Sequence, residues 1–222
     1  MERLVISDFK LGIIAGGQLG KMLVLAASNW DVKTWIMDRD EHCPASDVCT
    51  RFIKGDPLDF NDVYNFGKQL DMLTFEIENV NIEAIKKLKA EGVRINPDPD
   101  ALEIIQDKGL QKKFYTDHDI PTAPFHLFEN EDQIRQGVET GELALPFVQK
   151  LRTGGYDGRG VALIKTADDL ERLFKGPSMV EDMVRIDKEI SVIAARNLQG
   201  EIKCFPVVEM VFVEEQNVLD VL

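Results

Sequence analysis

The sequence predicts an α/β protein, a parallel sheet flanked by helices that gives way to a mixed α+β region. Three observations carry this. Short, β-branched apolar runs alternate with amphipathic helical stretches up to about residue 96. Alternation of this kind implies parallel strands joined by right-handed crossovers. Prolines at 97, 99, 121 and 124 then break the rhythm, and beyond them the apolar runs are mostly strands joined by turns.

"LGIIAG" (11–16) is short, β-branched and closed by glycines, and reads as a buried strand. The next stretch places Leu19, Met22, Leu23 and Ala26 at helical spacing. "VKTWIMD" (32–38), "LDMLTFE" (70–76) and "VRIN" (93–96) read as further strands, and "NIEAIKKLKAEG" as a helix closed by its glycine. The prolines bracket one or two helices, which puts a domain boundary near residue 106. Beyond it we expect a helix at about 130–140, the strand "LPFVQK", a glycine loop, the strand "VALIK" and the helix "ADDLERLF". "SMVEDMV", "KEISVIAARN" and "IKCFPVVEMVFV" read as strands, the last two forming a hairpin through "LQGE".

Composition limits the function. A net charge of −13 repels nucleic acid and anionic membrane surfaces, so neither is expected as a partner. No apolar run approaches the ~20 residues of a membrane span, and the start lacks a basic leader with a long apolar core, so a cytoplasmic location is expected. Cys43, Cys49 and Cys204 include no C-x-x-C pair, and His42 with Cys43 and Cys49 falls short of the four ligands of a structural zinc site.

Two glycine loops carry the chemistry. "AGGQLG" lies between the first strand and the first helix, where backbone N–H groups and the helix dipole favour phosphate. With Asp38 ending the second strand it nearly matches a dinucleotide fingerprint, except that Ala15 replaces the first glycine. A nicotinamide dehydrogenase, a phosphorylated substrate and plain strand–helix packing are all compatible with this loop. In "TFEIEN" Glu76 and Glu78 are two apart, hence on the same face of a strand near the carboxyl end of the sheet, either as ligand carboxylates or as solvated edge residues. The second loop, "RTGGYDGRG" (152–160), interleaves Tyr156, Asp157 and Arg159 with Gly154, Gly155, Gly158 and Gly160. A hairpin turn needs the glycines but not the side chains. A phosphate-closing loop uses both, and Lys150, which ends the preceding strand, adds an ammonium. The spacing is not that of the Walker loop.

"IIAGGQLGKM", "DMLTFEIENV", "QDKGLQKKFYTDHDIPTAPF", "QKLRTGGYDGRGV", "VEDMVRIDKEISVIAARN" and "FPVVEMV" follow one another at intervals that resemble the 5-(carboxyamino)imidazole ribonucleotide synthases of purine biosynthesis, a family of ATP-grasp ligases. The resemblance runs over essentially the whole chain. It implies a Rossmann-like pre-ATP-grasp domain over 1–106 and an ATP-grasp domain over 107–222, with a small lid subdomain at about 120–182 and only the start of the large one. The implied reaction joins bicarbonate to the amine of 5-aminoimidazole ribonucleotide through carboxyphosphate, splitting ATP with the help of magnesium.

Carried over by position, the resemblance implies ATP contacts at Lys108, Lys150, Gly155, Tyr156, Asp157, Gly158, Arg159, Gly160, Glu181, Asp182, Met183, Val184, Glu189 and Phe212. Lysines neutralise phosphates, the main chain of 181–184 can read the adenine edge, and Glu189 can accept from ribose hydroxyls. Gln18 and Leu19 would hold the substrate's ribose phosphate, and Glu76 would face its ribose or aminoimidazole part. Tyr156, Asp157 and Arg159 would close over the reaction, Arg159 stabilising anionic oxygen and Asp157 orienting or deprotonating the amine. In this reading the first loop binds a mononucleotide and the dehydrogenase reading falls.

Two departures stand out. The family continues past "VLDVL" into the part that carries its magnesium ligands, so the resemblance implies an incomplete active site, with a homodimer expected of the full-length form; a non-catalytic nucleotide-binding remnant and another ATP-grasp carboxylase or ligase are the alternatives. Family members also often have histidine at the position of Phe212, and phenylalanine cannot donate a hydrogen bond to a phosphate.

Overall fold

The computed structural model describes residues 8–155, 160–213 and 218–221. The chain packs as two compact units, Met1–Glu181 and Asp182–Leu222. The first unit opens with β1 (Lys10–Ile14), α1 (Gln18–Ser28), β2 (Lys33–Asp38), β3 (Arg51–Lys54), α2 (Phe60–Gly67), β4 (Met72–Phe75), α3 (Ile82–Ala90) and β5 (Arg94–Ile95). The five strands form one sheet in the order β3-β2-β1-β4-β5, with every pairing parallel. Consecutive residues of a strand face opposite sides. Accordingly Ile14 packs with Met37, Phe66, Leu73 and Leu88 on one side of the sheet, while Ile13 packs with Val24, Ile36 and Cys43 on the other. Burial on both faces is what makes β1 and β2 read as near-continuous apolar runs.

Next come α4 (Pro99–Gln106), α5 (Lys108–Asp117), β6 (Phe125–Phe128), α6 (Glu131–Thr140), β7 (Phe147–Leu151), β8 (Val161–Ile164), a 3-10 turn at Ala167–Arg172 and β9 (Ser178–Asp182). These four strands form a second sheet, β6-β9-β7-β8, over a core that includes Phe128, Ile134, Phe147, Ile164 and Val180. Gln149 is fully buried but satisfied, its amide donating to Phe174 O and Ser178 Oγ and accepting from Phe174 N. α6 starts where Asn130 accepts from Gln133 N at 3.0 Å.

In the second unit β10 (Glu189–Ser191), β13 (Val208–Val213) and β14 (Val218–Val221) form one antiparallel sheet, and β11 (Ala194–Arg196) and β12 (Ile202–Cys204) form the expected hairpin. None of its described side chains is buried. No helix among the described residues is long and apolar enough to cross a membrane.

Several expectations need correcting. β3, α2 and β6 are not anticipated by the apolar pattern, because β3 and β6 are four-residue strands with exposed positions and α2 is an eight-residue helix. "ADDLERLF" forms a short 3-10 turn, fixed where Asp169 accepts from Lys165 N and Thr166 N, both at 3.0 Å. "KEISVIAARN" splits into β10 and β11. "IKCFPVVEMVFV" splits around Pro206, which has no N–H for a ladder. The strand in "LDMLTFE" ends at Phe75, so the same-face argument for Glu76 and Glu78 does not hold.

Candidate functional site

The sheet order puts the carboxyl ends of β3, β2, β1 and β4 on one edge, where open α/β sheets bind ligands. A cleft of about 500 Å³ opens there, lined among others by Ala15, Asp38, Arg39, Pro57, Asn79 and Gly154. The two glycine loops, far apart in sequence, therefore meet at one cavity.

Ala15 has φ 74°, so the first loop keeps the left-handed conformation even without the fingerprint glycine. A β-carbon in this region costs about 1–2 kcal/mol. The turn is held by Ala15 N donating to Met37 O at 2.9 Å and Gly16 N donating to Asp38 Oδ2 at 2.7 Å. The other carboxylate oxygen of Asp38 accepts from Asp40 N at 2.9 Å. Asp38 is thus occupied as a backbone clamp, and a dinucleotide ribose would have to displace those bonds. Close packing supplies the reason for Gly20, where a β-carbon would lie 2.7 Å from the Ala15 carbonyl oxygen. Gly17 begins α1 with no side-chain cap, leaving the first-turn N–H groups available to an anion.

Glu76 follows β4 directly, its N–H donating to Ile14 O at 3.0 Å. Its carboxylate turns to the first loop, since a β-carbon at Gly17 would lie 3.5 Å from Oε2. Burial, and then Asp38 and Glu78, push the Glu76 carboxyl above its usual range. A raised value means the charged form is penalised in the fold, so Glu76 costs stability at neutral pH and the cost fades as pH falls and the group protonates. Glu76→Gln is expected to stabilise the protein by about 0.5–1 kcal/mol at pH 7, with the gain shrinking in acid. Urea unfolding at two pH values checks this, and an equal or lower midpoint at pH 7 contradicts it.

A second cluster lies where α5 meets the second sheet. Asp107 caps α5, accepting from Gly109 N at 2.7 Å and Leu110 N at 3.2 Å. The same carboxylate takes both arms of Arg152, Nε at 3.0 Å and Nη2 at 2.7 Å. Lys108 N donates to Arg152 O at 2.9 Å, and Lys108 Nζ lies 3.4 Å from Gly155 O. The first turn of α5 therefore holds the entry of the second glycine loop. One turn on, Lys112 Nζ binds Glu181 Oε2 at 2.7 Å, while Lys150 Nζ pairs with Oε1 of the same carboxylate.

β7 and β8 pair antiparallel, and Leu151 N donates to Gly160 O at 2.9 Å, so 152–160 is a hairpin connection closed at its base. Hairpin loops mostly run about 2–5 residues, and this one is longer. Gly154 and Gly160 have φ 75° and 74°, which a β-carbon would strain.

Both carboxylates of this cluster contribute to acid stability. Burial raises Asp107, but the Arg152 hydrogen bonds and those from Leu110 and Gly109 outweigh it and leave the carboxyl below its usual range. Burial likewise raises Glu181, and Lys112 and Lys150 together bring it below. Depressed carboxyls contribute stability that is complete above the ordinary carboxylate range, about pH 4–4.5, and lost as pH falls through the folded values. Unfolding on acid titration is expected to set in below about pH 4, and Glu181→Gln should flatten that limb. An unchanged acid limb in the variant would refute the assignment.

Among the residues expected to act, Gln18 and Leu19 open α1 and are exposed, and Glu76 lies beside them at the first loop. Lys108, Lys150, Gly155, Gly160 and Glu181 belong to the second cluster and its loop. Tyr156, Asp157, Gly158 and Arg159 lie outside the described residues. Asp182, Met183, Val184, Glu189 and Phe212 belong to the second unit, Glu189 in β10 opposite Met210 and Phe212 in β13. The sequence reading missed Asp107, which is the partner of Arg152, and Lys112. The four-residue spacing of Lys108 and Lys112 in "QDKGLQKK" was the available signal, since it puts both on one helix face. Among the described residues no three histidine, cysteine or carboxylate side chains converge on one point.

Known proteins match this layout. A ribonucleotide synthetase preATP-grasp domain model matches residues 9–106, and an ATP-grasp domain model matches 113–221. N5-carboxyaminoimidazole ribonucleotide synthase of Brucella melitensis is 35% identical over 207 residues, covering 90% of this chain and 56% of that protein. The chain carries, in series, the preATP-grasp and ATP-grasp domains that its synthase relatives share. The crystal structure of the family member from Thermotoga maritima superposes with a TM-score of 0.81 at 39% identity, covering 91% of this chain and 53% of that one. The synthase of Aspergillus clavatus, in complex with ADP and 5-aminoimidazole ribonucleotide, gives a TM-score of 0.84 at 27% identity, covering 96% of this chain and 56% of that one. The chain thus spans about half the length of these family members.

Proposed function

We propose that this chain serves the ATP-dependent carboxylation of 5-aminoimidazole ribonucleotide by bicarbonate, giving N5-carboxyaminoimidazole ribonucleotide with release of ADP and phosphate. The observation that carries the reading is the cleft at the sheet's carboxyl edge, where Ala15 of the first glycine loop and Gly154 of the second line one cavity. The first-turn N–H groups at Gln18 and Leu19 receive the ribose phosphate, and Glu76 accepts hydrogen bonds from the ribose or aminoimidazole. Lys108 and Lys150 neutralise the phosphates of ATP, whose transferable phosphoryl group activates bicarbonate as carboxyphosphate. Arg159 stabilises the anionic oxygens of the transfer, Asp157 orients the amine, and closure of the 152–160 loop keeps water from the intermediate.

The reading includes a domain division near residue 106, a cytoplasmic setting and a homodimeric full-length form. Magnesium belongs to the family reading, and among the described residues no group of three histidine, cysteine or carboxylate side chains marks a site for it. An NAD-dependent role is disfavoured by the Asp38 clamp on Gly16.

The reading is tested by thermal unfolding with ATP and with NAD, because a ligand that binds only the folded state raises its stability. ATP is expected to raise the midpoint and NAD to leave it unchanged. Bicarbonate-dependent ADP release in the presence of 5-aminoimidazole ribonucleotide then tests the reaction. Stabilisation by NAD with no effect of ATP would overturn the reading.

A further inference from the structure

We infer that Lys112 is a positioning residue for nucleotide phosphates, acting by occupying one oxygen of Glu181 so that Lys150 keeps charge to spend on an anion. The inference rests on the ATP reading of this cluster. Glu181 is one carboxylate shared by two ammonium groups, Lys112 on Oε2 and Lys150 on Oε1, so the trio carries one net positive charge. The two lysines are not equivalent. Lys112 has its three N–H groups directed at Glu181, Thr122 Oγ1 at 2.6 Å and Ala123 O at 3.4 Å, above the ring of Phe125. Its side chain is 10% exposed, which leaves no room for a ligand. Lys150 is 30% exposed and, among the described residues, makes only the Glu181 contact.

The saturated lysine therefore supplies compensating charge, and the open one supplies the donor. Without Lys112, Glu181 would satisfy itself on Lys150 alone, and the trio's surplus charge would vanish. Lys112 also stands one turn from Lys108 on α5, so the helix that holds Gly155 sets this charge balance as well.

A purely structural lysine, tying α5 to β9, makes a different prediction. Calorimetric titrations at low salt would use ATP and, as a probe without adenine, tripolyphosphate, on the chain, on Lys112→Met and on Lys112→Met/Glu181→Gln. Lys112→Met is expected to weaken both probes roughly tenfold or more, the effect of one partly screened charge. The double variant should recover to within a few-fold of the parent, because Lys150 no longer faces an uncompensated carboxylate. A structural role predicts no such recovery. Lys112→Gln removes the charge and keeps polar contacts, and it repeats the test if the methionine variant does not fold. Unchanged affinity in the single variants, or a double variant no better than the single, overturns the inference. Equal binding of tripolyphosphate and ATP would count against the nucleotide reading while the variants still decide the role of Lys112. A parent chain that binds neither overturns both.

Discussion

Asp107→Ala is expected to lower the unfolding free energy by about 2–4 kcal/mol, from two losses at one carboxylate. The first is the cap of α5, where Gly109 N and Leu110 N lose their acceptor, a change worth about 1 kcal/mol. The second is the paired contact with Arg152, whose side chain is 23% exposed and whose carboxylate partner is 18% exposed. Charge-assisted bonds of this kind contribute about 1.5–3 kcal/mol, reduced where water can screen them. Asp107→Asn retains cap acceptance and loses only the charge, so about half the effect is expected. Urea unfolding at pH 7 measures both variants, and a loss below about 0.5 kcal/mol for alanine would show that water replaces Asp107 at no cost. The same substitution should reach the glycine loop, because Arg152 opens it and Lys108 N donates to Arg152 O.

The parts of this fold that were legible in the sequence are those whose surroundings are uniform. β1 and β2 are buried on both faces, so Ile13, Ile14, Ile36 and Met37 form apolar runs without interruption. β3 has no fully buried position, and its "RFIK" shows neither an apolar run nor a clean alternation. Asp38 was legible as the last residue of its strand, but its partner was not. Whether a carboxylate there binds a ribose or clamps Gly16 depends on a loop that turns back onto it. The spacing of Lys112 from Lys108 was legible but its partner was not, since its anion stands on β9, brought alongside β6 and β7 only by the sheet order. Local pattern reveals which residue types are available, whereas pairing across the fold decides which of them are already satisfied. Recurring spacing of several motifs carried the family resemblance because it samples many such pairings at once.

In the full-length form Arg159→Ala is expected to lower turnover by ~10²–10³, as for loss of one oxyanion donor, while changing ATP affinity by no more than a few-fold. The loop that contains it is anchored on both sides, by Arg152 on Asp107 and by Leu151 N on Gly160 O, and Lys108 Nζ reaches Gly155 O. Those contacts fix the ends, so removing one side chain between them should leave the base of the hairpin in place. Ground-state hold on the phosphates falls to Lys108 and Lys150 in the proposed reading, and neither is altered. Arg159, which directly precedes Gly160 in the chain, would then act on charge that develops only as the phosphoryl and carboxyl groups transfer. An interaction made mainly in the transition state is lost from kcat and kcat/KM alike, whereas one made equally to bound ATP appears in KM. Steady-state ADP release with bicarbonate and 5-aminoimidazole ribonucleotide, alongside calorimetric ATP binding, separates the two. Loss confined to affinity would make Arg159 a binding residue, and normal turnover would reduce the 152–160 stretch to a long hairpin connection.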